Sequence, residues 1–331
     1  MKQLLKATIF SVILTVCAIN LHNAFFLIDY RSTSGSEKVE VTINNGDTGL
    51  DIARKLFDSG VVKTSKAFYR HALADKRANG VSPGIHTLDK KISSEAALNQ
   101  LLDTSRNRGL IRFIEGLRAY EVISILNKSE LLEGEFSGEV LPNQSYGTIN
   151  LEGFLFPAQY AFAPGTTVDE AVIQMLNRFE TAAQESGLNE CYKSYTAYQC
   201  LIIASIAQAE GDRQDYTKIA RVIYNRLAIG MPLQMNTTVE YAAKLRGQIR
   251  MSYKQLEINS KYNTYKYRGL PPSPIGNPGE EAMAAAVNPE NGDWLYFITV
   301  KPQDTRFTKS FEQFNIWANE FRKNEEAGLF K

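Results

Sequence analysis

The stretch "IIASIAQAEGDR", residues 202–213, runs through apolar and small side chains and ends on a single acid, Glu210. Together with "AYQCL" before it, residues 197–210 read as one helix, apolar on most sides, that stops near Gly211. At helical spacing Glu210 lies on the face of Ile203, Ile206 and Ala207, its i−7, i−4 and i−3 positions. A carboxyl held against apolar neighbours is hard to ionise, so its pKa is expected to rise and its proton to persist near neutral pH. A general acid needs that property. The pattern leaves one alternative open, a helix-end glutamate that turns out into water. A helix apolar on so many sides must be packed around by other elements, which puts a mainly helical core of an α+β fold about Glu210.

Downstream, "DYTKIARVIYNRLAIG" (215–230) gives a second amphipathic helix that turns Ile219, Val222 and Ile223 inward and places Asn225 and Arg226 near its end. The segments "MPLQMNTTVEY" (231–241), "NSKYNTYKYRGLPPSPIGNPG" (259–279) and "DWLYFIT" (293–299) follow. The middle one is dense in Tyr, Asn, Thr, Gly and Pro, residues of ordered loops that offer hydroxyls, amides and aromatic faces. Sugars suit such walls, because they present hydroxyls at their edges and apolar ring faces.

Upstream lies an internal repeat. "VTINNGDTGLDIARKL" (41–56) overlays "IRFIEGLRAYEVISIL" (111–126) at an offset of 70, pairing Val41 with Ile111, Ile43 with Phe113, Gly46 with Gly116, Ile52 with Val122 and Leu56 with Leu126. Each copy alternates like a strand, turns at glycine and continues at helical spacing. A weaker third copy starts at "PGTTVDEAVIQML" (164–176), where Thr167 and Glu170 have capping-box spacing. Strand-turn-helix modules of this kind make the chain α+β.

The 331 residues, 44% hydrophobic and 22% charged, are enough for two or three globular domains. A net charge of +1 and the lack of a basic stripe argue against nucleic acid as a partner. At the N-terminus Lys2 and Lys6 flank an apolar run from Ala7 to Ile28, about the 20 residues that a membrane-spanning helix needs. The run continues past a normal signal core without a small-x-small cleavage site, which favours a retained single-pass anchor over a cleaved peptide. The lysines then keep residues 1–6 cytoplasmic and send everything after the anchor (7–28) to the outer side of the membrane. The polar stretch 29–38, with "RSTSGSEK" (31–38), reads as a linker. In an oxidising location Cys191 and Cys200 can pair or remain two separate thiols, and the sequence leaves both open.

The ordered set "LEGFLFPAQY" (151–160), "ASIAQAE" (204–210), "VIYNRLAIGMPLQ" (222–234), "TTVEY" (237–241), "KYNTY" (261–265), "GLPPSPIGNPG" (269–279) and "LYFIT" (295–299) resembles the YceG-like endolytic murein transglycosylases, the MltG family. The resemblance covers the anchor, a LysM-like α+β module over 39–105 and the catalytic domain over 106–331. It implies an enzyme that cuts nascent peptidoglycan strands internally, between N-acetylmuramic acid and N-acetylglucosamine, leaving 1,6-anhydro-muramic ends. Such an enzyme would end glycan polymerisation beside peptidoglycan synthases. It needs no cofactor or metal. One carboxyl suffices when the substrate's own 6-hydroxyl attacks, unlike the two acids of ordinary glycosidases.

The resemblance implies Glu210 as the catalytic acid and base, and places Glu152 in the cleft, where it would orient substrate or act as a like charge that raises the pKa of Glu210. A turn acid bonding backbone amides fits Glu152 equally well. By the same matching, Asn225, Gln234, Thr238, Tyr241, Asn263 and Tyr265 are cleft-lining candidates, each with structural bonding to a loop as its alternative. Several positions depart from the family pattern. Gln208 stands where relatives carry a first acid, Ala158 and Gln159 replace Asp-Thr, Asn236, Thr237 and Thr238 replace Asp-Pro-Thr, and Arg306 and Phe314 occupy histidine positions. Other classes fit poorly. The three histidines, His22, His71 and His86, form no HExxH pattern, and GxSxG and P-loop signatures are missing. The rival that remains is a membrane-anchored glycan-binding scaffold without turnover, to which Glu210 would be dispensable.

Overall fold

The computed structural model describes residues 28–247 and 251–330, together with Thr15. Apart from Thr15 and Ile28, the expected tail and anchor lie outside these residues. Among the described residues no helix is long and apolar enough to cross a membrane. The chain forms two compact units, one ending at Ile111 and including Gln159–Thr166, the other comprising Arg112–Ala158 and Thr167–Lys331.

In the first unit, β1 (Lys38–Ile43) runs antiparallel to β2 (Gly84–Asp89), with Val41 opposite His86 and Ile43 opposite Gly84. Between and after them come α1 (Gly49–Asp58), α2 (Ser65–Ala74) and α3 (Ser94–Leu102). Thr48, Thr64 and Ser93 cap these helices by accepting the N–H of the third helical residue, so each start is written in the sequence. Val41, Ile43, Leu56, Phe68, Leu88, Leu98 and Leu101 make the core. A further short pair joins β3 (Leu110–Arg112) to β4 (Gln159–Ala161).

All three copies of the repeat take one local form. A strand leads to a glycine at positive φ, Gly46 at 84°, Gly116 at 77° and Gly165 at 83°, and a helix begins three residues later. That left-handed backbone is cheap only for glycine, which is why the glycine anchors the register of the repeat. The helices are α1, α4 (Ala119–Asn127) and α5 (Val168–Glu185). The capping box expected of Thr167 and Glu170 is formed.

The second unit is built around α6, Ala197–Glu210, which ends before Gly211 as the sequence implies. Cys200 and residues 201–207 are all buried. Around α6 pack α7 (Tyr216–Ala228), α8 (Asn236–Ala242) and α10 (Glu280–Val287), with the one-turn α9 (Tyr253–Leu256) in the connecting loop. Ile203, Ile206, Ile219, Ile223 and Met283 have no exposed surface, and each such side chain contributes roughly 1.5–3 kcal/mol through burial. Phe154 stacks edge-on against Phe179 and Tyr146, at centroid distances of 4.9 and 5.0 Å. Cys191 and Cys200 are joined in a disulfide with their Cα atoms 6.1 Å apart. The chain closes with an antiparallel hairpin, β5 (Tyr296–Lys301) and β6 (Asp304–Thr308), and α11 (Phe311–Glu326) packed on it.

Candidate active site

Glu210 sits on the last turn of α6, where the helix emerges from the core, and its side chain is partly covered. Three cavities meet at it. The largest, about 750 Å³, is edged by Glu115, Arg118, Gln208, Thr237, Glu240 and Arg246. A second, about 640 Å³, runs past Asp212, Thr299 and Gln303. The third, about 460 Å³, is walled by Tyr265 and by aromatic residues of β5 and α11. Glu210 and Thr299 border all three, so they form one groove with a single carboxyl at its waist.

The first turn of α8 holds that carboxyl. The backbone N–H of Thr237 and its hydroxyl both donate to Oε1 of Glu210, at 3.2 and 2.6 Å. With Oε1 used as an acceptor, Oε2 is left to carry the acid proton. Burial pushes the pKa of Glu210 above the ordinary carboxyl range, and the nearby Glu240 adds to the rise, while the Thr237 bonds and Arg226 pull the other way. Burial is the largest of these influences. Tyr265, which lines the third cavity together with the carboxyl, is pushed up to about 12, chiefly by burial and then by Glu210.

Of the other residues singled out in the sequence, the structure brings two to this groove. Tyr265 donates its hydroxyl to Oδ1 of Asn236 at 2.7 Å, and Gln234 is exposed at the rim of the same cavity. The other five do not line these three cavities, and their polar atoms bond within the fold. Asn225 donates its amide to the carbonyls of Gly292 and Trp294, at 3.1 and 2.9 Å. Thr238 donates to Met235 O at 2.7 Å, and Asn263 bridges Leu256 O and Ile258 O, both at 2.9 Å. Glu152, only 3% exposed, accepts the N–H of Ala119 at 2.9 Å and the hydroxyl of Tyr241 at 2.8 Å. Burial pushes its pKa up to about 7. Asn225, Thr238, Tyr241, Asn263 and Glu152 thus make the structural bonds that the sequence leaves open as the alternative to sugar contact. Buried polar groups must find partners, and these side chains spend theirs on loop backbone or on each other. The like charge that acts on Glu210 is Glu240 and not Glu152.

Three neighbours of Glu210 were missed. Thr237 and Glu240 share a face of α8 at i,i+3, a spacing visible in "TTVEY" once the helix is known. Arg226 is 6% exposed and donates its Nε to Leu295 O at 2.6 Å, locking α7 to the start of β5.

The YceG-like family model matches residues 41–320. The chain belongs to the YceG-like family. It is 32% identical over 300 residues to the endolytic murein transglycosylase of Bacillus subtilis, covering 84% of this chain and 83% of that protein. A relative of the same name from Streptococcus pneumoniae is 29% identical over 302 residues, and the match spans 54% of its length. The crystal structure of a YceG-like protein from Listeria monocytogenes superposes with a TM-score of 0.52 at 25% identity, covering 85% of this chain and 99% of that one.

The departures from the family pattern are accommodated in the site. Gln208 borders the largest cavity and accepts the N–H of Gly279 at 2.8 Å, holding the "GNPG" loop to α6. Asn236 keeps an acceptor for Tyr265, and Thr237 supplies the donors to Glu210. Arg306 is paired with Asp304 and Glu320, tying β6 to α11, and Phe314 lies in the aromatic cavity. Among the described residues no cluster of His, Cys, Asp and Glu could hold a metal ion.

Proposed function

We propose that this YceG-like chain is an endolytic peptidoglycan lytic transglycosylase with Glu210 as its acid and base. The observation that carries the proposal is the single carboxyl at the waist of the groove, with burial keeping its proton and Thr237 fixing its orientation. The names of the Bacillus and Streptococcus relatives support the same reading.

In the reaction, Oε2 of Glu210 gives its proton to the glycosidic oxygen between N-acetylmuramic acid and N-acetylglucosamine as the C1–O bond breaks. The 6-hydroxyl of the muramic acid then forms the new C1–O6 bond and returns its proton to Glu210. No water is consumed and the enzyme is regenerated. The two Thr237 bonds strengthen as negative charge appears on the carboxyl, so they favour the proton-transfer state over the resting one. Holding the 6-hydroxyl against C1 replaces a bimolecular attack by an internal one.

Residues 7–28 serve in this proposal as a membrane anchor with the N-terminus cytoplasmic and the catalytic unit outside, where the Cys191–Cys200 disulfide is chemically at home. The domain boundaries read from the sequence, including the LysM-like module over 39–105, are part of the same proposal. The β-α-α-β order of the first unit, with its own core, supports a separately folded module. Peptidoglycan synthases are the natural partners for such an enzyme.

The test is mass spectrometry of muropeptides released from uncross-linked strands by the wild type and by Glu210→Gln. Anhydro-muramyl ends from the first and none from the second are expected. No product from either would leave a glycan-binding scaffold.

A further inference from the structure

The third cavity at Glu210 has a wall for which the chemistry above has no use. α11 carries no buried residue, although it presents Phe311, Phe314 and Phe321 on the cavity side, and Phe330 follows. Phe311 is 59% exposed. Phe314 and Phe321 are half-buried, and a ring left as open as that of Phe311 adds little to the fold, so its position needs another explanation.

The rings are arranged as a surface. The Tyr296 ring lies 5.5 Å from those of both Phe311 and Phe314, and the last two are stacked at 6.2 Å. Phe321 and Phe330 are 5.1 Å apart. Polar groups line the same cavity: the Asn236 amide with the Tyr265 hydroxyl upon it, Gln234 and Glu210. A cavity of about 460 Å³ lined by both aromatic rings and hydrogen-bonding groups offers the two kinds of contact a pyranose makes. It opens on the carboxyl, so whatever fills it lies next to the bond that Glu210 would protonate.

The geometry points to a sugar-binding position in which Phe311, Phe314 and Tyr296 take the apolar face of one N-acetylated pyranose, while Asn236 and Gln234 meet its polar edge. This position would set which sugar sits beside the scissile bond. It deepens the proposed function and rests on it for the identity of the substrate. Phe314, a departure from the family's histidine, becomes a specificity-determining residue and not a lost catalytic one.

The experiment uses the full chain and separates binding from turnover. Binding of an N-acetylglucosamine tetramer is measured in the Glu210→Gln background, and KM and kcat on uncross-linked strands in the active background. Phe311→Ala, Phe314→Ala and Phe314→Tyr are compared in each. Phe311 is exposed enough that its truncation leaves folding intact, and Phe314→Tyr preserves the ring. Each alanine variant is expected to raise Kd and KM about tenfold with kcat little changed, and Phe314→Tyr to behave as the parent. Alanine variants that bind and process glycan like the parent would overturn the assignment and leave the transglycosylase intact. If the parent binds the tetramer through these residues yet releases no anhydro product, the binding position stands and the enzymatic reading falls. If the parent neither binds nor cuts, both fall.

Discussion

Glu152→Gln should make the protein more stable at alkaline pH, an unusual outcome for removing a buried hydrogen-bonded carboxylate. Burial raises the pKa of Glu152 from 4.5 to about 7, so the folded chain binds more protons than the unfolded chain between those values. Its contribution is therefore fully present below pH 4.5 and is lost as pH rises through 7. The interval of about 2.5 pKa units corresponds to about 3 kcal/mol, and Glu152 is too well buried for solvent to screen much of it. Glutamine mimics the protonated acid, accepting the Ala119 N–H with its oxygen and donating to the Tyr241 oxygen with its amide, so the variant should match the wild type near pH 4.5. By pH 8 it should be about 3 kcal/mol the more stable. Urea denaturation followed by fluorescence at several pH values measures the difference directly, and subtracting the two proteins cancels every other titrating group. Parallel stability curves would refute the reasoning. The same variant should keep releasing anhydro ends, since Glu152 lies in the interior and not in the groove.

Other outcomes follow from the same geometry. Thr237→Val removes the 2.6 Å hydroxyl bond that favours the ionised form of Glu210, so the alkaline limb of the pH profile of kcat/KM should move up, and activity should fall about tenfold for a lost bond to a charged group. In the first unit, His86 is fully buried and burial holds its pKa below 6.5. The unfolded histidine binds its proton first, so stability is complete above pH 6.5 and drains away as pH falls toward the depressed folded value. His86→Gln should flatten that acid slope in hydrogen exchange of β1 and β2 amides. Ile206→Ala, at a site with no exposed surface one turn before Glu210, should cost about 2–5 kcal/mol in denaturant unfolding. Reducing the Cys191–Cys200 disulfide, which closes a short loop with a sequence separation of 9, should cost about 2–3 kcal/mol in the same assay.

Much of the helical core was legible because periodicity and capping are local signals. The bounds of α6, the inward faces of α7, the Thr167 capping box and the strand-glycine-helix repeat all depend on residues within one or two turns of each other. The position of Glu210 against Ile203, Ile206 and Ala207 is equally local, and its raised pKa follows from it. The walls of the groove are a different matter. Asn263 and Tyr265 are two residues apart in "KYNTY", yet one is fully buried on backbone carbonyls and the other faces the carboxyl, because the loop turns between them. Sequence offers polar residues of the right kind but not the direction in which a loop presents them. Glu240 escaped notice for the same reason, lying 30 positions beyond Glu210 on a helix whose packing alone brings it near. The phenylalanines of α11 read as ordinary amphipathic spacing until their exposure beside the groove is seen.

The central claim is that one carboxyl acts alone and that the substrate's own 6-hydroxyl, not water, attacks C1. Digestion of uncross-linked glycan in water enriched in oxygen-18, with mass spectrometry of the new ends, tests it most directly. The account predicts anhydro-muramyl ends that carry no label and disappear in Glu210→Gln. Reducing ends bearing oxygen-18 would contradict it, since they would make water the nucleophile and require a second catalytic group to activate it.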